Sequence, residues 1–366
     1  MTVNNVKLNN FRNIPSCDIF PSDGVNVIFG ENAQGKTNIL EGIWQFTGCK
    51  SFRGSKEREL IKFGEDFSVS ELSFSDNSRE KKAKIIFGNE KKVFLNGVEL
   101  NSQSELIGKF FAVIFSPSHL SLIKDGPGER RKFLDTALCQ LKPKYAIYLK
   151  HLKQALQQRN SILKDISYSS ELYDLLDSWD LTLAKYSAAV AFERIKYITL
   201  LSEYCEEIYS GISEKKENFS VEYASSFDIS SCKNINDLYD SFCTKIKENR
   251  KEDIFNKSTS VGPHRDDLII KIDGKSARAF GSQGQQRSCA LALKLGEAKI
   301  IENITNEKPV ALLDDVMSEL DEKRQNYILN NIKDRQVFLT CCDPSQALRM
   351  CNGKLFYVKN GQIEEK

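Results

Sequence analysis

Residues 30–37 read Gly30-Glu31-Asn32-Ala33-Gln34-Gly35-Lys36-Thr37, and the reading of the whole chain turns on them. They satisfy G-x-x-x-x-G-K-[ST], and their flanks supply the context that this pattern requires. The apolar run Val25-Asn26-Val27-Ile28-Phe29 leads in as a buried strand, and Asn38-Ile39-Leu40-Glu41-Gly42-Ile43-Trp44 leads out with the spacing of a helix. Gly30 and Gly35 permit a tight loop between them. Successive backbone N–H groups and the positive end of the helix then converge on one point, where a phosphate group is stabilised. Lys36 is placed to reach β- and γ-phosphates, and Thr37 to ligate Mg²⁺.

A phosphate loop needs a carboxylate to hold the metal's water shell. Pro309-Val310-Ala311-Leu312-Leu313-Asp314-Asp315 offers one at the end of an apolar strand. Asp314 is the metal-side group, and Asp315 is placed to orient or deprotonate an attacking water. A third segment, Gly281-Ser282-Gln283-Gly284-Gln285-Gln286-Arg287, opens the apolar helical pattern from Ser288 to Leu295. Hydroxyl, backbone amides and helix dipole there suit an anion, although Ser282 also fits an ordinary N-cap.

Composition narrows the class. With 366 residues, 40% of them hydrophobic and 28% charged, the chain is an ordinary globular protein long enough for two or three domains. Lys and Arg number 52 against 50 Asp and Glu, so the net charge of +2 gives no bulk attraction to polyanions, and any grip on nucleic acid must come from a local basic face. The ten cysteines include no C-x-x-C pair and no zinc-finger spacing, which points to free thiols. Three histidines, His119, His151 and His264, leave little material for a His-rich metal site. No basic leader with an apolar core opens the chain, and no run of about 18 apolar residues occurs, so a cytoplasmic protein without a membrane partner is expected.

The opening reads as short strands, Val3 to Leu8, Val25 to Phe29, Phe67 to Phe74, Lys82 to Phe87 and Lys92 to Leu95, with the one helix after the phosphate loop. Phe110 to Phe115 is another buried strand. From Lys142 the texture becomes helical: Tyr145, Leu149, Leu152, Leu156 and Leu163 form one stripe, which Arg159 interrupts. After the turn-like Ser167-Tyr168-Ser169-Ser170, a second stripe runs through Leu172, Leu176, Trp179, Leu183, Tyr186 and Val190. The two predict an antiparallel helical hairpin, either part of a bundle or a protruding arm, whose first helix is roughly 35 Å long. Residues 214–256 are polar and weakly patterned, a return connection with some helix. Leu268 to Ile272, Val310 to Leu313 and Val337 to Thr340 read as strands, and a hairpin around Asn360-Gly361 closes the chain. The architecture expected is α/β: a head built from both chain ends, residues 1–105 and 256–366, with an inserted helical lobe over 106–255.

Taken in order, the phosphate loop, the Ser282 to Gln285 segment, the Asp314-Asp315 pair and Ser318-Glu319-Leu320-Asp321 resemble the Walker A, signature, Walker B and D-loop motifs of ABC-type, SMC-like ATPases. Finer text is similar to the RecF family within them: Leu8-Asn9-Asn10-Phe11-Arg12-Asn13, Ser51-Phe52-Arg53, Arg130-Arg131-Lys132-Phe133-Leu134-Asp135 and Gly262-Pro263-His264-Arg265-Asp266-Asp267. The resemblance implies ATP and Mg²⁺ as ligands. Gly30 to Asn38 and Arg12 would surround the nucleotide, with Ser282, Gln283, Gly284 and Gln285 meeting its γ-phosphate from a second copy. Lys36, Asp314, Asp315 and Ser282 would carry catalysis, Thr37 and Asp314 would hold Mg²⁺, and Asp321 would lie across the dimer interface. Arg12 is otherwise a surface arginine in a turn.

The function implied is an ATP-dependent DNA-binding clamp of recombinational repair, acting in replication, recombination and the SOS response. ATP would pair two heads on gapped or duplex DNA near single-strand/double-strand junctions, and a weak, DNA-dependent ATPase would release them. Its implied partners are double-stranded and gapped DNA, a second copy, RecR and RecO, and indirectly the recombinase RecA. Two departures predict slow hydrolysis: Asp315 stands where many ABC ATPases carry Glu, and Cys341 where they carry His. His264 either substitutes in part or is structural. Candidate basic patches are Arg79, Lys81, Lys82 and Lys84; Lys91 and Lys92; Arg130, Arg131 and Lys132; and Lys142 to Lys153. The alternatives are an SMC-like chromosome-tethering ATPase or a transporter ATPase subunit.

Overall fold

The computed structural model describes residues 1–166, 171–343 and 353–366. They form two compact units, one of Met1–Leu120, Gly211–Ser213 and Ala290–Lys366, the other of Ser121–Ser210 and Glu214–Cys289. The first is made from both chain ends and the second is inserted between them. Their borders lie at 120/121 and 289/290 rather than the expected 105/106 and 255/256. Strand pairing is the reason: Ala112–Phe115 joins the first unit's sheet, while Asp267–Ile272 pairs with Phe219–Ala224 inside the second.

The first unit holds two six-stranded sheets. One runs in the order Gln362–Glu365, Leu355–Lys359, Val25–Phe29, Val337–Cys341, Val310–Asp314, Ala112–Phe115, and is parallel except for the closing hairpin. Its inner strands read as unbroken apolar runs because both faces are covered: every residue of Val337–Cys341 is buried, as are Val310 to Leu313. The other sheet is antiparallel, in the order Ile14–Ile19, Thr2–Phe11, Ser68–Ser75, Glu80–Phe87, Lys92–Leu95, Val98–Leu100. Here burial alternates, as for a sheet with one face on the core, with Leu72, Phe74, Ala83, Ile85 and Phe87 turned inward. Gln336 joins the two sheets. Its buried amide accepts from Val3 N–H at 2.7 Å and donates to Val3 C=O at 2.9 Å and Ser22 C=O at 2.8 Å, replacing a strand partner.

The second unit contains a three-stranded sheet and the predicted helical hairpin, Pro143–Asp165 followed by Leu172–Ser213, the latter up to Ser210. Lys142 meets Glu193, Tyr145 meets Arg194, His151 stacks on Tyr186, and Arg159 meets Asp180. Steps forward along one helix match steps back along the other, so the pair is antiparallel. The first helix has 23 residues, roughly 35 Å at 1.5 Å each. The turn read at Ser167-Tyr168-Ser169-Ser170 lies outside the described residues. The helix expected within 214–256 is Ile235–Glu248, and one element there was not foreseen, the strand Phe219–Ala224. Both carry a legible signal, the alternation of Phe219, Val221 and Tyr223 and the capping box of Asn234 with Asp237.

Arg159, an interruption in the sequence stripe, is fully buried. Its Nε donates to Asp180 Oδ1 at 2.6 Å, and its Nη1 to Asp253 Oδ2 at 2.7 Å and Thr259 Oγ1 at 2.9 Å. The hairpin is therefore packed against the segment around 253–259, the bundle side of the two readings. Removing one partner of a buried ion cluster leaves uncompensated charge, which costs more than the pairing itself contributes. Arg159→Ala should lower unfolding free energy by about 3 kcal/mol in urea denaturation, and an unchanged midpoint would show that the carboxylates find water or other donors instead.

Candidate nucleotide site

The phosphate loop leaves the parallel strand Val25–Phe29 and enters the helix Lys36–Trp44. Two glycines are obligatory there. Gly30 has φ +154°, and a β-carbon on it would lie 2.3 Å from the Val358 carbonyl oxygen; Gly35 has φ +115°, and its β-carbon would lie 2.7 Å from Asn13 Oδ1. The closing hairpin braces the loop from outside, since Asn360 N–H donates to Gln34 Oε1 at 2.6 Å and Gly361 N–H to Gln34 C=O at 3.0 Å.

A cavity of about 430 Å³ opens beside the loop. Asn32, Ala33, Gln34, Gly35, Lys36, Thr37 and Asn38 line it with Asn13, Arg53, Asp314, Asp315 and Thr340. Gly30 and Glu31 are off its wall, and their carbonyls instead accept from Lys36 Nζ at 2.6 and 2.8 Å. Thr37 Oγ1 donates to Asp314 Oδ1 at 2.7 Å across 277 residues of chain. Burial pushes the Asp314 carboxyl upward, while the hydroxyls of Thr37 and Thr340 act against that by stabilising its charged form. Asp315 has φ +51°, its N–H donates to Thr340 Oγ1 at 2.9 Å, and its carboxylate faces the Ser318 hydroxyl at 3.1 Å.

Arg12 is not on the cavity wall. Its guanidinium grips the fully buried Glu41 with Nε at 2.6 Å and Nη2 at 2.9 Å, and also reaches the Ser55 hydroxyl. Arg53, 3.7 Å from the same Glu41, lines the cavity in its place and donates to Asn38 Oδ1 at 2.9 Å. Cys341 is buried and turned away, while Cys342 comes within 3.4 Å of Lys36 Nζ. Strand alternation explains the exchange, since Thr340 and Cys342 share the loop-facing side and Cys341 takes the other. Asn13, Arg53 and Thr340 were not singled out as site residues. Alternation identifies Thr340, whereas nothing local marks Asn13.

The signature segment lies in the second unit. Ser282 caps the helix Gln283–Thr305: its hydroxyl accepts from Gln285 N–H at 3.3 Å, Gln285 Oε1 accepts from Ser282 N–H at 2.7 Å, and Gln285 Nε2 donates to Glu217 at 2.8 Å. Ser282 and Gln283 are exposed. In the first unit, Asp321 caps the helix Glu322–Ile332 through Arg324 N–H at 3.0 Å.

The expected basic patches are neutralised only in part from within. Arg130 is buried and bound bidentately to Asp267, at 2.7 and 2.9 Å, and Arg131 donates to the Asp266 carbonyl. Lys81, Lys84, Lys91, Lys132 and Lys142 pair with Asp76, Glu71, Glu57, Glu129 and Glu193. Arg79, Lys82, Lys92, Lys144, Lys150 and Lys153 stay exposed.

Parallel sheet, phosphate loop, acidic pair and capped signature helix define an ABC-type P-loop ATPase head of the SMC-like kind. The structure superimposes on the Smc head domain of Pyrococcus furiosus with a TM-score of 0.55 at 16% identity, over 100% of this chain and 96% of that one. The family described as RecF/RecN/SMC N terminal domain matches residues 2–363. The DNA replication and repair protein RecF of Agathobacter rectalis is 40% identical over 368 residues, 100% of this chain and 99% of the relative, and that of Clostridium perfringens is 38% identical over 100% of both. A solved structure of the recombination mediator protein RecF with ATP, in the RecFOR pathway, matches at TM-score 0.93 and 36% identity, over 100% of this chain and 97% of that one. The chain belongs to the RecF family.

His264 lies half-buried in the second unit and is not among the residues that line the cavity. Its Nε2 faces the Thr259 carbonyl at 3.1 Å, and burial pushes its pKa down to about 4. The folded protein therefore keeps it neutral while the unfolded chain takes up a proton near the ordinary value, so stability is lost as pH falls from about 6.5 toward 4, by up to about 3 kcal/mol. Urea midpoints across that window should decline less steeply for His264→Gln than for the wild type, and identical slopes would refute the assignment.

Proposed function

We propose that this chain is an ATP-driven DNA-binding clamp of recombinational repair, in which nucleotide bound at the loop of one head is completed by Ser282 and Gly284 of a second copy. One observation carries the reading: Thr37 and Asp314 share a hydrogen bond of 2.7 Å on the wall of a cavity that also holds Lys36. The relative solved with ATP, at 36% identity, supports ATP as the nucleotide.

The residues fit a Mg²⁺-bound triphosphate. Thr37 and Asp314 are hard oxygen donors, too few to cage a metal alone and therefore suited to Mg²⁺, which keeps water and substrate phosphate in its shell. When bound, Mg²⁺ neutralises charge on the phosphates. Lys36 would exchange the carbonyls of Gly30 and Glu31 for phosphate oxygens, and loop N–H groups would bind the chain of phosphates. Arg53 is placed to add a second cation, held by Glu41 and Asn38. Asp315 would accept the proton of the attacking water. Its carboxylate is one methylene shorter than Glu, and Cys342 supplies no imidazole, so hydrolysis should be slow.

A tetra-anion between two donor-rich surfaces is bound better by both than by either, so nucleotide binding and self-association are linked. Pairing would bring the exposed lysines of two copies to one duplex, where phosphate contacts bind without reading bases. Partners would be gapped and duplex DNA, RecR and RecO, with RecA loading as the downstream event. The domain scheme proposed is an ATPase head from both chain ends with the helical lobe carried between them.

Sedimentation with Mg·ATP, with and without gapped duplex, tests this. The wild type should become a dimer, and Lys36→Met should stay monomeric and lose at least about tenfold in nucleotide affinity, the loss of one charge-assisted hydrogen bond of roughly 1.5–3 kcal/mol. A wild type that stays monomeric under saturating Mg·ATP on both templates would rule out the clamp.

A further inference from the structure

Thr340 ends the loop-facing side of the strand Val337–Cys341, is only 1% exposed, and serves both aspartates at once. Its Oγ1 accepts from Asp315 N–H at 2.9 Å and donates toward Asp314 Oδ1 at 3.1 Å, with the Leu313 carbonyl farther off at 3.5 Å. A hydroxyl has one proton and two lone pairs, so both short bonds form together. Asp314 Oδ1 also accepts from Thr37 at 2.7 Å. One carboxylate oxygen is thus held from two sides, which fixes the rotamer and leaves Oδ2 as the oxygen without a partner among the described residues.

The same hydroxyl acts on the backbone of Asp315. Its φ of +51° lies in the left-handed region, which non-glycine residues enter only where surrounding contacts hold them. The bond from Asp315 N–H to Thr340 is such a contact, and Ser318 braces the other side, its hydroxyl 2.9 Å from the Asp315 carbonyl and 3.1 Å from its Oδ1. Threonine suits this place twice over. Its branched β-carbon restricts χ1 in a strand, so the hydroxyl is aimed before any ligand arrives, and register pairs Thr340 directly with Asp314 across the parallel ladder.

We propose that Thr340 is the positioning residue of the acidic pair: one hydroxyl sets the rotamer of Asp314 and the left-handed turn at Asp315, so the metal-side and water-side carboxylates are oriented together. The inference rests on the nucleotide reading above and adds to it a residue whose hydroxyl acts through the two aspartates.

Thr340→Val keeps the shape and removes the hydroxyl, while Thr340→Ser keeps the hydroxyl and removes the methyl. Binding of a fluorescent ATP analogue to the full chain is measured in EDTA and then across a Mg²⁺ titration, alongside single-turnover hydrolysis. Thr340→Val should bind the analogue normally in EDTA, yet need about 10–100-fold more Mg²⁺ for half-maximal effect or lose a similar factor in hydrolysis, the usual cost of removing an orienting hydrogen bond behind a metal ligand. Thr340→Ser should restore most of that loss. Wild-type Mg²⁺ dependence in Thr340→Val, or equal losses in the Val and Ser variants, would overturn the proposal. If Thr340→Val does not fold, Thr340→Ala takes its place, and an Ala variant that matches Ser overturns it equally. Should the wild type show no Mg²⁺-dependent nucleotide binding, the nucleotide reading itself falls, a result separate from any ranking of the variants.

Discussion

The strand Val25–Phe29 is clasped between Val337–Cys341 and Leu355–Lys359, both from the far end of the chain, and the rest of the first unit depends on that clasp. A phosphate loop takes its shape from the strand it leaves, and here the last strands of the chain impose that shape. Val358 fixes the approach to Gly30, and the turn at Asn360 and Gly361 holds Gln34. Closing so long a loop costs little more than closing a short one, because the entropy grows with the logarithm of length, but it makes folding slow. Nucleotide competence is thereby tied to completion of the whole unit. The strand and loop that carry Lys36 and Thr37 are braced by Val337–Cys341, Leu355–Lys359, Asn360 and Gly361, with Thr37 bonded to Asp314, so an N-terminal fragment alone lacks these supports.

The same geometry tells which parts of the site were legible. The loop, its strand and helix, Lys36, Thr37 and Asp314 carry local patterns, glycine spacing and apolar runs that end in acid, and the structure brings these residues together within one cavity. Arg12 and Arg53 were not separable that way. Both are arginines in turns, and which of them faces the cavity depends on Glu41, whose buried carboxylate takes the bidentate fork of Arg12 and leaves Arg53 at the rim. Cys341 and Cys342 differ only by strand parity, and fixing that parity requires knowing where the strand pairs. The strand Phe219–Ala224 had a signal that the surrounding polar residues masked.

Charge was the least legible property, for a physical reason. A run of basic residues shows its sign in sequence but not its partners, and the acids that neutralise Arg130, Lys142 and Arg159 lie 137, 51 and 21 positions away. Arg159 shows how far this goes: in sequence it breaks an apolar stripe, and in the structure it is the buried centre that ties the helical hairpin to Asp253 and Thr259. Buried ion clusters of this kind add little net stability relative to apolar packing, but they disfavour any arrangement that leaves one member alone. They specify the second unit's packing more than they strengthen it.

This internal neutralisation bears on control. A head with a strong basic face would hold DNA whether or not nucleotide were present, because phosphate contacts act in proportion to the cations available. The chain carries a net charge of only +2 and keeps much of its arginine and lysine in ion pairs. In the proposed clamp each head alone therefore binds duplex weakly, and pairing through nucleotide multiplies the contacts by holding two heads at a high effective concentration on one duplex. In that proposal, weak single-head binding is the condition under which a nucleotide could decide when DNA is held, and slow hydrolysis with Asp315 as the proton acceptor would set for how long.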